Sequence, residues 1–185
     1  MGTLAYIKNF IKDRDVAAIT PSSKFLVKRV CRWIDFSAPN IIVEYGPGTG
    51  VFSRYILEEM HDDSTLVLIE GNRNFVEELE ALTDGDPRAT VVHDRVENIE
   101  TILDRLTIDA ADYIISGIPF SFLDDDVKDE LLVHTRRALA DTGKFLVYQN
   151  YNHMEDPLRQ HFNLASKEYE LRNIPPMFAY EALKP

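Results

Sequence analysis

The sequence predicts an α/β sandwich in which a mostly parallel sheet of seven strands, with one strand reversed, carries helices on both faces. From Ile41 onward, short apolar β-branched runs alternate with longer amphipathic segments, as parallel strands alternate with helical crossovers. The last two extended segments, after Tyr151, are joined by so short a connection that an antiparallel pair is expected. The length of 185 residues and the hydrophobic fraction of 45% suit about one domain with a sizeable core.

The individual elements follow from the local pattern. The predicted strands share apolar, β-branched runs and are Ile41–Tyr45, Thr65–Ile69, Thr90–Val92, Tyr113–Ser116, Lys144–Gln149, Lys167–Arg172 and Met177–Leu183. The predicted helices share apolar positions at helical spacing and are Val51–Met60, Asn72–Leu82, Glu97–Leu106 and Asp125–Ala140. Asp141-Thr142-Gly143 is predicted to end the last of these helices.

A basic segment precedes the predicted sheet. Residues 1–37 carry seven Lys and Arg against three Asp and Glu, whereas the whole chain has 20 Lys and Arg, 31 Asp and Glu and a net charge of -11. Leu4, Ile7 and Ile11 repeat at helical spacing and predict a short amphipathic helix. Such charge asymmetry indicates a segment that meets something anionic.

Ser22 is a candidate N-cap for a second helix, whose basic face is formed by Lys24, Lys28 and Arg32. Two interpretations are open. Both helices pack on the core with their basic side chains in solvent, or residues 1–32 rest on anionic lipid head groups. The chain is therefore divided into a helical arm, residues 1–37, that serves as a lid or as a membrane or substrate contact, and a core, residues 38–185.

Composition excludes several classes of protein. The net charge of -11 opposes capture of a polyanion, so nucleic acid is an unexpected partner. A single cysteine, Cys31, forms neither an intrachain disulfide nor a cysteine-based zinc site, and the histidines lack metal-ligand spacing, so no metal is predicted. No apolar run of about 18 residues and no signal peptide is found, which predicts a cytoplasmic protein with at most peripheral attachment to a membrane.

A glycine-rich turn follows the first predicted strand, in the order Glu44-Tyr45-Gly46-Pro47-Gly48-Thr49-Gly50. Glycines suit a turn at which a ligand approaches the backbone closely. The dinucleotide fingerprint is not matched, because Val51 stands where its third glycine is required, and the P-loop ending is missing. The acid Glu44 beside the loop amides suits a zwitterionic, cationic ligand better than a pyrophosphate.

Two more acids follow the next two strands. Glu70 comes after the second strand, where a carboxylate can accept both hydroxyls of a ribose, and Asp94 follows the third, where it can accept from an adenine amino group. Taken singly, each acid also suits a structural role: Glu44 as a strand-end acid, Glu70 as a helix cap, Asp94 as a solvated loop residue. Three acids ending separate strands at one sheet edge, together with the glycine loop, favour a ligand site.

From Ile41 to the C-terminus, these motifs resemble the class I S-adenosylmethionine-dependent methyltransferases, which have a Rossmann-like sandwich fold. The resemblance implies that the loop of Glu44, Tyr45, Gly46, Pro47, Gly48 and Gly50 wraps the methionine part of the cofactor. It implies that Glu70 holds the ribose and that Asp94 addresses the adenine. The neighbouring Gly71, Arg95 and Ser116 are predicted to belong to the same cofactor site.

The turn after the fourth strand, Ser116-Gly117-Ile118-Pro119-Phe120, is similar to the Asn/Asp-Pro-Pro-Tyr motif of amino methyltransferases and, more distantly, to that of the ribosomal RNA adenine dimethylases. Ser116 departs from both, since a hydroxyl cannot replace a side-chain amide in recognising adenine. These five residues are the predicted catalytic turn. Phe120 is expected to present its aromatic face to the methyl acceptor.

A closer resemblance is to the bacterial phospholipid N-methyltransferases. It rests on the basic N-terminal helix, Ala18-Ile19-Thr20-Pro21-Ser22-Ser23, the glycine loop, the Ser116–Phe120 turn and Asn173-Ile174-Pro175-Pro176. The resemblance implies methylation of the amine of a phospholipid or other aminolipid at a membrane surface. A soluble amine or RNA adenine as acceptor, and a cofactor-binding module without turnover, are the alternatives. The proton acceptor is left open among a carbonyl, Ser116, Tyr6, Tyr148 and a water molecule.

Overall fold

The computed structural model describes residues 22–185 and contains one seven-stranded sheet. Its strands are β1 (Ile41–Tyr45), β2 (Thr65–Glu70), β3 (Ala89–His93), β4 (Ala111–Ser116), β5 (Leu139–Gln149), β6 (Asn163–Glu170) and β7 (Met177–Leu183). Its α-helices are α1 (Lys24–Cys31), α2 (Val51–Glu59), α3 (Arg73–Leu82), α4 (Ile99–Arg105), α5 (Asp125–Ala138) and α6 (Glu155–His161). The predicted helix through Leu4, Ile7 and Ile11 lies outside the described residues.

The strand order is β3-β2-β1-β4-β5-β7-β6. Strands β1 to β5 pair in parallel, whereas β7 runs antiparallel to both β5 and β6. The predicted fold class, with one reversed strand, is therefore confirmed, and β7 is the reversed strand. Strand β6 runs in the same direction as β1 to β5, so its last residue, Glu170, lies at the same edge of the sheet as theirs.

Two apolar clusters cover the two faces of the sheet. Alternate residues of β1 divide between them, with Val43 in one cluster and Ile42 in the other, because successive side chains of a strand point to opposite faces. Helices α4, α5 and α6 pack on the first face, and α1, α2 and α3 pack on the second. The prediction of helices on both faces is confirmed.

Helix α1 shares the second cluster through Leu26, Val27, Val30 and Cys31. Its N-cap is Ser23, whose Oγ accepts a hydrogen bond from the Leu26 amide at 3.3 Å, so the prediction of Ser22 at this position is wrong by one residue. Lys24, Lys28 and Arg32 are exposed. The described part of the predicted arm is thus packed on the core, with Lys24, Lys28 and Arg32 outward and Arg29 paired with Glu170.

Several predicted boundaries differ from the structure, most of them by one or two residues and the following ones by more or with a change of element. Helix α5 ends at Ala138, and Asp141-Thr142-Gly143 lies inside β5, where the pairing register with β4 shifts. A 3-10 turn, Val96–Asn98, precedes α4. Strand β6 begins at Asn163 rather than Lys167 and ends at Glu170, because the Glu170 carboxylate accepts the amide of Arg172 at 2.9 Å and turns the chain.

Candidate functional site

The predicted site residues meet at the carboxyl edge of the sheet. In the register of the sheet, Tyr45 lies opposite Ile69 of β2 on one side and Ser116 of β4 on the other. Strands β2 and β3 lie on one side of β1, whereas β4 and the later strands lie on its other side, so the strand order reverses between β1 and β4. Open α/β sheets bind ligands in the crevice at such a reversal of strand order.

The glycine loop is tied down at one end and open at the other. The Gly46 amide donates to the carbonyl oxygen of Ile69 at 2.9 Å, and a Cβ on Gly46 would lie 2.7 Å from Cγ2 of Ile118. Gly48 has φ +56°, a conformation that L-residues rarely adopt, and a Cβ placed on it would meet nothing within 4 Å. The backbone at Gly48 therefore faces open space in which a ligand can approach it.

Glu44 is a buried acid with one hydrogen-bond donor among the described residues. Its carboxylate is 1% exposed and accepts a hydrogen bond from Ser53 Oγ at 2.6 Å. Burial raises the pKa of Glu44 to about 7, the Ser53 hydrogen bond opposes this rise, and the charge of Glu70 adds to it. A cationic group placed beside Glu44 would stabilise its carboxylate.

Glu70 joins the end of β2 to the glycine loop. Its Oε1 accepts the Asn72 amide at 2.8 Å and its Oε2 accepts the Gly48 amide at 3.1 Å. Burial raises the pKa of Glu70, although these backbone amides and that of Gly71 oppose the rise. A carboxylate has about four lone-pair positions, so Glu70 keeps acceptor capacity for a hydroxyl donor beyond these three amides.

Asp94 accepts hydrogen bonds from three donors within residues 22–185. Its Oδ1 accepts the Arg95 amide at 2.8 Å and Asn98 Nδ2 at 2.7 Å, and its Oδ2 accepts an Arg105 guanidinium nitrogen at 2.9 Å. Burial opposes ionisation of Asp94, but these hydrogen bonds together outweigh it and lower its pKa. Asp94 is thus held as a carboxylate.

The predicted turn after β4 contacts the end of β5. A Cβ on Gly117 would lie 2.1 Å from the Tyr148 hydroxyl oxygen, and the Ile118 carbonyl accepts Gln149 Nε2 at 2.7 Å. Ser116 is fully buried, and its Oγ has no hydrogen-bond partner among residues 22–185. An unpartnered buried hydroxyl is costly in a fold and indicates a group that can serve a ligand.

The position of Phe120 requires a correction. Its ring is fully buried in the first core cluster and packs edge-on to Phe145, with ring centroids 6.4 Å apart. A ring without exposed surface cannot present its face to a substrate in this conformation. Pro119 precedes the 3-10 turn Phe120–Phe122 that directs this ring inward.

Tyr45 and Gly50 also have structural roles. The Tyr45 side chain is fully buried, and its hydroxyl lies 3.3 Å from Thr135 Oγ1 of α5, so only its backbone reaches the site. Gly50 is the N-cap of α2 with φ +75°, and a Cβ there would lie 2.5 Å from Leu82. The Pro47 carbonyl accepts the Gly50 amide at 3.0 Å and closes the loop.

Gly71 and Arg95 flank the acids that precede them. The Gly71 carbonyl lies 3.3 Å from His93 Nε2, and the Arg95 guanidinium pairs with Glu97. Arg95 lines a polar surface cavity of about 640 Å³ together with Glu97, Asn98 and residues of α4 and α5, and none of the glycine loop lines it. This cavity carries several glutamates and adjoins Asp94 through Asn98.

Ser53 and Gln149 were not predicted from the sequence to belong to the site. The contact between Phe52 and Tyr148 was not predicted either. These two rings stack with centroids 4.5 Å apart and planes 10° apart, beside Gly117. Ser53 lies in the first turn of α2, which the glycine loop brings back over the end of β1. The sequence signal that could have indicated Ser53 is a hydroxyl residue in the first helical turn after the glycine loop. Nothing in the sequence pairs Tyr148 with Phe52, since they lie on separate elements.

Comparisons with known proteins bear on the fold and on the predicted resemblance. The ornithine lipid N-methyltransferase of Singulisphaera acidiphila is 27% identical over 180 residues, which cover 94% of this chain and 91% of that protein. No protein-family model matches the chain.

Solved structures share the fold. The N-methyltransferase NodS from Bradyrhizobium japonicum WM9, in complex with S-adenosyl-L-homocysteine, aligns over 100% of both chains with a TM-score of 0.72 and 11% identity. A SAM-dependent methyltransferase from Aquifex aeolicus aligns over 87% of this chain and 90% of its own, with a TM-score of 0.66 and 12% identity. The predicted resemblance to S-adenosylmethionine-dependent methyltransferases is confirmed, and the fold is theirs.

Proposed function

We propose that this chain is an S-adenosylmethionine-dependent N-methyltransferase that methylates the amine of an aminolipid. The observation that carries the proposal is the meeting of Glu44, Glu70 and the open backbone of Gly48 at the crevice between β1 and β4. The substrate class is supported by the likeness to an ornithine lipid N-methyltransferase over 94% of the chain.

The donors and acceptors of the site fit the cofactor. Glu44 suits the ammonium group of the methionine part, because a neighbouring cation offsets the cost of burying this carboxylate. Glu70 retains acceptor capacity for a ribose hydroxyl, and Asp94 is held ionised where the adenine amino group is expected. When bound, S-adenosylmethionine supplies an electrophilic methyl group.

The chain itself then orients an amine and removes water. The amine must be neutral to attack, and the buried Ser116 Oγ, which lacks a partner among the described residues, is available to accept its hydrogen bond. Burial and the charge of Glu44 raise the pKa of Tyr148. Tyr148 therefore stays protonated and is unsuited to act as the base.

We assign the aromatic contact with the acceptor to Tyr148 in place of Phe120. The Tyr148 side chain is partly buried and lies beside Gly117, whereas Phe52, which is 2% exposed, stacks on it and supports its ring. A methylated ammonium is attracted to the face of an aromatic ring.

The membrane-facing part of the proposal concerns the N-terminal arm. Residues 1–32 are proposed to rest on an anionic membrane surface, with the boundary between arm and core near residue 37; residues 1–21 lie outside the described part. Within residues 22–185, every helix is too short or too polar to cross a bilayer. Peripheral attachment at the cytoplasmic face is the arrangement proposed.

The test is transfer of a labelled methyl group from the cofactor into lipid. Vesicles that contain phosphatidylethanolamine, ornithine lipid or a lysine-carrying lipid are incubated with the full-length protein, and the lipid extract is analysed by mass spectrometry. We expect label in at least one aminolipid, strong loss of label with Glu70→Ala, and unchanged label with Glu80→Ala, which removes an exposed acid from α3. Label in none of the three, or only in a soluble amine or RNA, contradicts the proposal.

A further inference from the structure

We propose that the turn between β6 and β7, together with the start of α1, docks on an anionic lipid bilayer and so turns the catalytic edge of the sheet toward the membrane. The surface, called the docking tip, consists of Phe25, Leu171, Arg172 and Ile174. This proposal rests on the proposed function, because the docking tip would orient the same active site toward its lipid substrate. Phe25 belongs to the N-terminal arm already proposed to meet the membrane, whereas Leu171, Arg172 and Ile174 extend the contact to the turn between β6 and β7.

The first observation is exposed apolar surface. The side chains of Leu171 and Ile174 are 70% and 76% exposed, and Phe25 is 37% exposed. The large hydrophobic residues exposed in the described part of the chain are Phe25, Phe122, Tyr151, Tyr169, Leu171 and Ile174. Single exposed apolar residues are ordinary, whereas a cluster of them marks an interaction surface.

The second observation is where these residues lie. Strand β6 runs parallel to β1 through β5, so the turn that follows Glu170 projects from the carboxyl edge of the sheet. Phe122 follows β4, Tyr151 follows β5, and Tyr169 is the next-to-last residue of β6. Phe25 lies beside Arg172 of the same turn, so all six exposed large hydrophobic residues of the described part are at the edge that carries the candidate active site.

The third observation is that the docking tip is held rigidly. The Ser23 amide at the start of α1 donates to Asn173 Oδ1 at 2.7 Å, and Asn173 Nδ2 donates to the Pro175 carbonyl at 2.7 Å. The Arg172 guanidinium makes two hydrogen bonds to Glu170 at 2.8 Å. The apolar side chains are thus presented outward by a fixed turn, at no further cost in backbone order.

The fourth observation is charge, which decides the kind of partner. Residues 24–32 and 168–176 carry five basic and two acidic side chains in a chain with a net charge of -11. The Arg172 guanidinium lies 4.3 Å from the Phe25 ring centroid and the Lys24 ammonium lies 5.4 Å from it. Apolar side chains framed by cations match a bilayer whose head groups are anionic.

The other side of the same edge differs. Phe122 is followed by the exposed acids Asp124, Asp125 and Asp126 at the start of α5. Anionic head groups would repel this end, because like charges at short range are unfavourable. The contact is therefore assigned to the turn between β6 and β7 rather than to the whole edge.

The experiment measures co-sedimentation of the full-length protein with vesicles of phosphatidylglycerol and phosphatidylcholine, and with vesicles of phosphatidylcholine alone. We expect binding to the anionic vesicles and a loss of about ten-fold with Leu171→Ser/Ile174→Ser, since both apolar side chains then leave the interface. A second variant, Leu171→Glu/Ile174→Glu, should bind still less. The matched control, Asn74→Glu/Ala81→Glu, adds two acids to exposed positions of α3 and should bind as the unaltered protein does.

Cofactor affinity, thermal unfolding and turnover on aminolipid in neutral detergent micelles are measured in parallel and should be unchanged in the Leu171/Ile174 variants. Equal vesicle binding by the unaltered protein and these variants overturns the docking surface. The docking surface is also overturned if the unaltered protein binds no vesicles but forms a dimer that both variants abolish, because a second copy of the chain would then cover these residues. If the variants lose vesicle binding but no aminolipid is methylated by any form, the docking surface stands and the proposed function fails.

Discussion

Replacing Gly48 by alanine separates a role in cofactor binding from a role in the backbone of the loop. At φ +56° an L-residue is strained by about 1 to 2 kcal/mol, and the loss of glycine's freedom in the unfolded chain returns roughly half of this. The net cost is about 1 kcal/mol, which lowers the melting temperature of a domain of this size by about 2 to 4 °C. The new methyl group enters the open space above the loop.

Gly85 provides a matched control, because it has φ +78° and also meets nothing within 4 Å at an added Cβ, but it lies between α3 and β3. Gly85→Ala should lower the melting temperature as much as Gly48→Ala does. Calorimetry with S-adenosyl-L-homocysteine should show a Kd at least about ten-fold higher for Gly48→Ala and unchanged for Gly85→Ala. Equal affinity in the two variants would refute the placement of the cofactor over the glycine loop.

Three further outcomes follow from the geometry. Burial raises the pKa of Glu44 from its unfolded value near 4.5 to about 7, so its contribution to stability is present below pH 4.5 and is lost as pH rises through 7. Urea unfolding at pH 5 and pH 8 measures this loss. Between these pH values the free energy of unfolding of the unaltered protein should fall on the order of 3 kcal/mol more than that of Glu44→Gln, and an equal change in both proteins would contradict a buried carboxylate. Glu70→Ala should weaken cofactor binding by about 1 to 3 kcal/mol, roughly 5- to 150-fold by calorimetry, and an unchanged Kd would remove Glu70 from the site. Arg29→Met breaks hydrogen bonds to Glu168 and, at 2.7 Å, to the buried Glu170, and should lower the free energy of unfolding by about 1.5 to 3 kcal/mol. Arg73→Met, which breaks an exposed pair on α3, should cost under about 0.5 kcal/mol, and similar losses for both would mean that the Arg29 pair is solvated.

The order of elements and the acids after the strands could be predicted because both depend on local patterns. Alternation of strand and helix makes the sheet mostly parallel, and parallel strands end at one edge, so Glu44, Glu70 and Asp94 had to lie near one another. Strand β1 and strand β7 were predicted with the bounds that the structure has. Boundaries failed at β5 and β6, where a register shift and the side-chain contacts of Glu170 decide where pairing begins and ends.

The roles of the aromatic residues could not be predicted in this way. A motif position shows that a ring follows β4, but whether Phe120 faces the site or the core depends on Phe145 of β5 and on the 3-10 turn Phe120–Phe122. The stack of Phe52 on Tyr148 and the space it occupies beside Gly117 likewise join three separate elements. Local sequence carries no information about which side of a ring is covered.

What the sequence alone determined was the fold class, the glycine loop and the three acids, because periodicity and strand-end position are properties of neighbouring residues. What only the tertiary structure decided was the direction of each side chain: Phe120 inward, Ser53 onto Glu44, and Leu171 and Ile174 outward beside Arg172. These directions result from packing among residues far apart in the chain, where close-packed surroundings leave one arrangement.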